Sequence, residues 1–128
     1  MHRMKKVIQT ENAPAAIGPY SQAIEANGMI YLSGQIALDP TSNELVISDI
    51  DSETRQVLKN LSAVLKAAGS SLSKVVKCSI FLSDMAHYAV VNNVYAEYFT
   101  DAPPAREAVA VKTLPKEVNV EISAIALA

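Results

Sequence analysis

Apolar positions repeat with two different periods along this chain, and the switches between them mark its elements. Lys6 to Gln9 reads as a short strand. The stretch ENAPAAIGPY, residues 11–20, then holds Pro14, Gly18 and Pro19 and excludes helix. Gln22 to Ala26 alternates, meets Asn27-Gly28 and returns as Met29 to Ser33, the pattern of a β-hairpin with a two-residue turn. Leu38 to Ser48 is turn-rich, punctuated by Asp39-Pro40 and Ser42-Asn43.

From Ile50 the period lengthens. Ile50, Thr54, Val57, Leu58, Leu61, Val64, Leu65 and Ala68 recur at steps of three and four, which predicts a helix with one apolar face. Ser48 to Asp51 offers capping residues, Asp51 and Glu53 suit the positive end of the helix dipole, and Gly69 ends the segment. Val75 to Leu82 predicts a strand. Asp84 caps a second helix whose buried side is expected to hold Tyr88, Val91, Val94, Tyr95, Tyr98 and Phe99, and Pro103-Pro104 stops any helix there. Two more β-rich runs follow, Ala105 to Lys112 and Val118 to Leu127, joined by the turn TLPKE and read as a terminal hairpin. Two amphipathic helices need a sheet face to cover. The expected architecture is therefore α+β: a single domain over 1–128, a mixed β-sheet with two helices packed on one face.

Composition narrows the function classes. Half the 128 residues are apolar and 19% are charged, which fits one folded domain and argues against a disordered tail. Eleven basic residues against thirteen acidic ones give a net charge of -2, and the only adjacent basic pair is Lys5-Lys6, so no nucleic-acid partner is expected. No apolar run approaches the roughly 20 residues of a membrane span, and MHRMKK is not followed by the apolar core of a secretory signal. The expected compartment is cytoplasmic, with no membrane association. His2 and His87 are isolated, so no metal site is expected. Cys78 lies between apolar neighbours on a strand and reads as an inert core thiol.

Two charges stand out against this background. Arg106 follows Pro103-Pro104-Ala105, which holds the backbone extended and sets the guanidinium at a strand end, where its planar fork can match a carboxylate. It can equally be paired with a surface acid or solvated. Glu121 is the one charge in VNVEISAIALA, and alternation places it with Asn119, Ser123, Ile125 and Leu127, opposite Val118, Val120, Ile122, Ala124 and Ala126. The terminal hairpin is expected to bring Glu121 near Arg106, as a plain ion pair or as part of a site. Tyr20 and Ser33, at the ends of the first hairpin, and Asn92, on the second helix, are weaker candidates with equally ordinary structural uses.

Taken together, APAAIGPYSQA (13–23), YLSGQI (31–36), VNNVYAEYF (91–99) and PAREAVAVKTLPKEVNVEI (104–122) resemble the RidA family, also called YjgF, of reactive imine deaminases. The resemblance runs nearly end to end. It implies a chorismate-mutase-like α+β fold, a homotrimer with active sites in clefts between subunits, and no cofactor. It also implies hydrolysis of 2-iminobutanoate and 2-iminopropanoate, or their enamine tautomers, to 2-keto acids and ammonia. On the matching positions, Arg106 is the carboxylate-binding residue, Glu121 the acid that handles water and Tyr20 the cleft tyrosine. Ser33 and Asn92 line the substrate. Many relatives carry cysteine where this chain has Ala108, which excludes a thiol there but leaves a backbone role. VEISAIA puts Ser123 in place of a second acid, and GQIA puts Ala37 in place of proline. Two other readings stay open: a non-catalytic, carboxylate-binding regulatory module, and an RNA-cleaving or translation-inhibiting protein.

Overall fold

The computed structural model describes residues 4–128, so the leading segment with His2 and Arg3 lies outside the described residues. The first hairpin forms as the pattern predicts. Strand β2 (Ala23–Ala26) pairs with β3 (Met29–Gln35), and Asn27 and Gly28 both take positive φ, 52° and 76°, as the tight turn requires. Strand β1 (Lys6–Ile8) adds to the outer edge of β2.

Helix α1 spans Ile50–Ala67. Asp49 caps it by accepting from the Ser52 N–H at 2.7 Å. At the other end Gly69 takes φ 79°, and the N–H groups of Gly69 and Ser70 return to the carbonyls of Lys66 and Leu65, a Schellman closure. Val57, Leu58, Leu61, Val64 and Leu65 are fully buried, each large aliphatic side chain among them contributing roughly 1.5–3 kcal/mol. Strand β4 (Val75–Leu82) follows, then a 3-10 turn capped by Asp84, helix α2 (Tyr88–Tyr98), β5 (Ala105–Ala110) and β6 (Val120–Leu127).

These strands form one mixed sheet in the order β1-β2-β3-β6-β4-β5. Both helices pack on one face, over Ile30, Leu32, Ile80, Leu82, Val120 and Ile122. The expected fold class holds, but the terminal hairpin does not form. Strand β5 pairs in parallel with β4, and β6 inserts antiparallel between β3 and β4. The physical reason is the crossover: parallel neighbours need a helix between them, α2 supplies it for β4 and β5, and the segment 111–119 is long enough to carry the chain across to the centre of the sheet.

Three buried polar side chains were not anticipated as such. Glu53 was read as a helix-dipole residue, yet it is fully buried and its carboxylate accepts from the Asn119 N–H (2.7 Å), the Val120 N–H (2.9 Å) and Asn119 Nδ2 (2.9 Å). It ties α1 to the start of β6. Asn60, also in the core, donates to the carbonyls of Ile36 and Leu38, and Gln22 donates to those of Thr10 and Pro14, which fixes the loop before Tyr20. Asn60 and Gln22 thus satisfy loop carbonyls, and Glu53 satisfies backbone N–H groups at the start of β6.

Candidate functional site

The parallel register of β4 and β5 sets Arg106 beside Cys78 and therefore on the helix-covered face. Its Nη2 donates to the Tyr88 hydroxyl at 2.8 Å and to Asn92 Oδ1 at 2.5 Å. The guanidinium carbon lies 4.7 Å from the centre of the Tyr95 ring and 5.6 Å from that of Tyr88. Aromatic faces and neutral oxygens thus hold the cation. Among the described residues no carboxylate pairs with it, whereas Arg55 bridges Asp51 and Glu97 and Lys77 pairs with Glu107. The charge on Arg106 is oriented without being neutralised.

Tyr88 was expected on the buried side of α2 and is instead 36% exposed. It opens the helix near the edge strand β5, and its hydroxyl reaches Arg106. Beneath the cation, Tyr95 and Cys78 are buried next to each other, and among the described residues the Tyr95 hydroxyl has no oxygen or nitrogen partner. Burial pushes both groups above their ordinary proton affinities, which leaves Cys78 a neutral thiol. Ala108 shares the Arg106 face of β5 and packs against the core.

Glu121 lies on the other face. Through β4 it stands in register with Phe81 and Val109, and its side chain points away from the helices, whereas its neighbours Val120 and Ile122 are buried among them. The strand β3 bulges beside it. Between Leu32, paired with Ala124, and Gln35, paired with Ile122, both Ser33 and Gly34 oppose the single Ser123. The Glu121 carboxylate rests over Gly34, where any Cβ would overlap it. Desolvation raises its pKa above the usual 4.5. Ser33 Oγ donates to the Ser21 carbonyl at 2.6 Å, next to Tyr20, whose ring is 54% exposed.

The predicted residues thus fall into two groups. Arg106, Asn92 and Ala108 gather at the α2 face of β5; Glu121 and Ser33 gather around the β3 bulge on the opposite face, with Tyr20 following from Ser21. The expectation that adjoining final strands bring Glu121 to Arg106 within one chain is corrected: β4 separates their strands, and the two side chains leave opposite sides of the sheet. Sequence reading also missed Tyr88 as a partner of Arg106 and Gly34 as the floor under Glu121. Spacing held a signal for the first, since Tyr88 and Asn92 are four residues apart on one helix face.

The open face of the sheet is apolar. Val7, Ile24, Tyr31 and Ile125 form a row in register across four strands, with Val7 and Tyr31 58% and 47% exposed, and Val109 and Phe81 lie farther along. Among the described residues no helix is long and apolar enough to cross a membrane, and no group of three or more His, Cys, Asp and Glu side chains is placed to hold a metal ion.

The family described as Endoribonuclease L-PSP matches residues 10–128. The chain is 55% identical over 123 residues to a RutC family protein of Pyrococcus horikoshii, covering 96% of this chain and 98% of that one. It is 49% identical over 124 residues to the mouse 2-iminobutanoate/2-iminopropanoate deaminase, covering 97% and 92%. The crystal structure of a Yersinia pestis protein of unknown function from the conserved Rid family superposes with a TM-score of 0.95 at 51% identity, covering 98% and 100%. The sheet and its two helices have the chorismate-mutase-like arrangement of these neighbours.

Proposed function

This chain belongs to the Endoribonuclease L-PSP family, which includes the RidA deaminases, and from that premise we propose that it hydrolyses short 2-imino acids and their enamine tautomers to 2-keto acids and ammonia. One observation carries the reading: Arg106 is fixed by Tyr88, Asn92 and the Tyr95 ring while no acid among the described residues neutralises it. A preorganised, unpaired guanidinium is a receptor for a small carboxylate. The name of the mouse relative supports the choice of imine chemistry.

Glu121 has the complementary property. Its carboxylate is half-buried, has no hydrogen-bond partner among the described residues and has a raised proton affinity, which suits a general base. In the proposed reaction Arg106 clamps the substrate carboxylate, and water attacks the imine carbon as Glu121 takes its proton. The resulting carbinolamine collapses to the keto acid as the nitrogen, protonated by that acid or by water, leaves as ammonia. Base assistance contributes about 10²–10⁴-fold, and clamping adds to it by positioning.

Because the two groups leave opposite faces of one sheet, the proposal includes a second copy: Arg106 of one subunit meets the Glu121, Ser33 and Tyr20 group of another, in a homotrimer. The uncovered apolar row Val7, Ile24, Tyr31 and Ile125 supports such an assembly, since an exposed patch of this kind marks an interface. The family description raises RNA cleavage as a rival, but a net charge of -2 supplies no cationic track for a phosphate backbone.

The test generates 2-iminobutanoate in place with a threonine dehydratase and follows keto-acid release. Faster release with wild type than with buffer, lost in Arg106→Ala, supports the reading. Wild type that binds 2-ketobutyrate yet matches buffer points to a regulatory module. RNA cleavage that persists through further purification and rests on Arg106 points to the rival.

A further inference from the structure

A guanidinium presents two edges for a two-point grip on a carboxylate, one made by Nε and Nη2 and the other by Nη1 and Nη2. Both edges use Nη2. In this protein Nη2 donates to both the Tyr88 hydroxyl and Asn92 Oδ1, and with two hydrogens on Nη2 and an acceptor for each, neither edge is left free. The donors left over, on Nε and Nη1, do not form a fork with each other. A carboxylate that binds Arg106 at two points must therefore displace one of the resident acceptors.

We propose that Tyr88 is that displaceable acceptor: a built-in stand-in for the ligand carboxylate that holds Arg106 ready and is released when a carboxylate takes its place. The choice between the two acceptors follows from their settings. Asn92 is half-buried and sits a turn further into α2. Tyr88 is the first residue of the helix and is 36% exposed. Turning the Tyr88 hydroxyl away moves the more exposed of the two acceptors, whereas Asn92 is the more buried one. The exchange is favourable because a neutral phenol oxygen gives way to a charged one, and charge-assisted hydrogen bonds are roughly twice as strong. The ring can remain as a wall over the guanidinium after its hydroxyl has left.

This inference rests on the reading of Arg106 as a carboxylate receptor and deepens it. It makes Tyr88 a residue that tunes affinity downward, so removing its hydroxyl strengthens binding. A residue that merely props Arg106 in place would do the opposite.

The test measures 2-ketobutyrate binding by calorimetry to wild type, Tyr88→Phe and Arg106→Ala, with the tyrosine ultraviolet difference spectrum recorded during each titration. The expected result is binding about 2- to 10-fold tighter for Tyr88→Phe, the equivalent of one neutral hydrogen bond no longer in competition. The tyrosine difference signal should appear on binding to wild type and shrink in the variant. KM for the imine should fall by the same factor. Tyr88→Phe binding equal to or weaker than wild type, with binding still lost in Arg106→Ala, overturns the role of Tyr88 alone. Binding that survives in Arg106→Ala, or is missing from wild type, overturns the receptor reading together with it.

Discussion

Arg106 and Glu121 leave the same sheet on opposite faces, with β4 lying between their strands. No rotamer change within one chain joins them. A reaction that uses both groups therefore has to use two chains, and this is open to a direct check.

Arg106→Ala and Glu121→Gln, each inactive alone, should complement each other when coexpressed. In a closed ring with random mixing, a site is intact when one subunit keeps its arginine and its neighbour keeps its glutamate, so about one quarter of wild-type activity returns. The measurement is deaminase activity of the purified mixed oligomer. Activity no higher than that of the separate variants would place both groups in the same chain's site and contradict the geometry.

Substrate anchoring should be specific to the guanidinium. Arg106→Lys keeps the charge but loses the planar fork and the flat contact with Tyr95. It is expected to raise KM by about 10-fold or more, near the value of one lost charge-assisted hydrogen bond. Steady-state kinetics on 2-iminobutanoate provides the reading.

As the general base of the proposed reaction, Glu121 would act only when deprotonated. Within one chain desolvation lifts its pKa above 4.5, and Arg106 of a neighbouring subunit would pull it back down, so activity should be complete at neutral pH and fall as the pH drops through the carboxylate range. The same shift has a stability consequence: the folded chain holds this proton more tightly than the unfolded one, so ionising Glu121 costs stability as the pH rises through that window. Glu121→Gln should abolish the acid limb and lower kcat by about 10²–10⁴-fold. A pH profile of kcat/KM for both proteins decides it.

Gly34 should be required by the carboxylate above it rather than by its own backbone, which is not in the left-handed region. A methyl at this position overlaps the Glu121 side chain. Gly34→Ala should therefore cut kcat by about 10-fold or more through misplacement of the base, while thermal unfolding shows the chain still folded.

Glu53 should matter for stability rather than chemistry. Glu53→Ala strands two backbone N–H groups and the Asn119 amide in the interior, at a cost of about 3–5 kcal/mol. Glu53→Gln keeps one acceptor oxygen and should cost about 1–3 kcal/mol. Denaturant unfolding measures both. Equal stability of all three proteins would show that the start of β6 is held by its sheet partners alone.

The elements were legible because their signals are local. Helical spacing from Ile50 to Ala68, the Asn27-Gly28 turn and the alternation around Glu121 depend on neighbours a few residues away, and the structure repeats them nearly residue for residue. Motif resemblance likewise marks Arg106, Glu121, Asn92, Ser33, Tyr20 and Ala108 from the sequence alone. The contact between Arg106 and Asn92 is now visible, and so is the separation of Arg106 from Glu121.

What the sequence determined by itself is the set of pieces: two amphipathic helices, the strands and an arginine rigidly presented at a strand end. What the tertiary structure decided is their order in the sheet. Strand pairing is a long-range choice, made when α2 crosses over to set β5 parallel to β4 and β6 settles in the central gap between β3 and β4. That choice buries Glu53, hands Arg106 to Tyr88 and Asn92, and turns Glu121 to the far side. No local period encodes these outcomes, because each depends on which distant segments exclude water from one another.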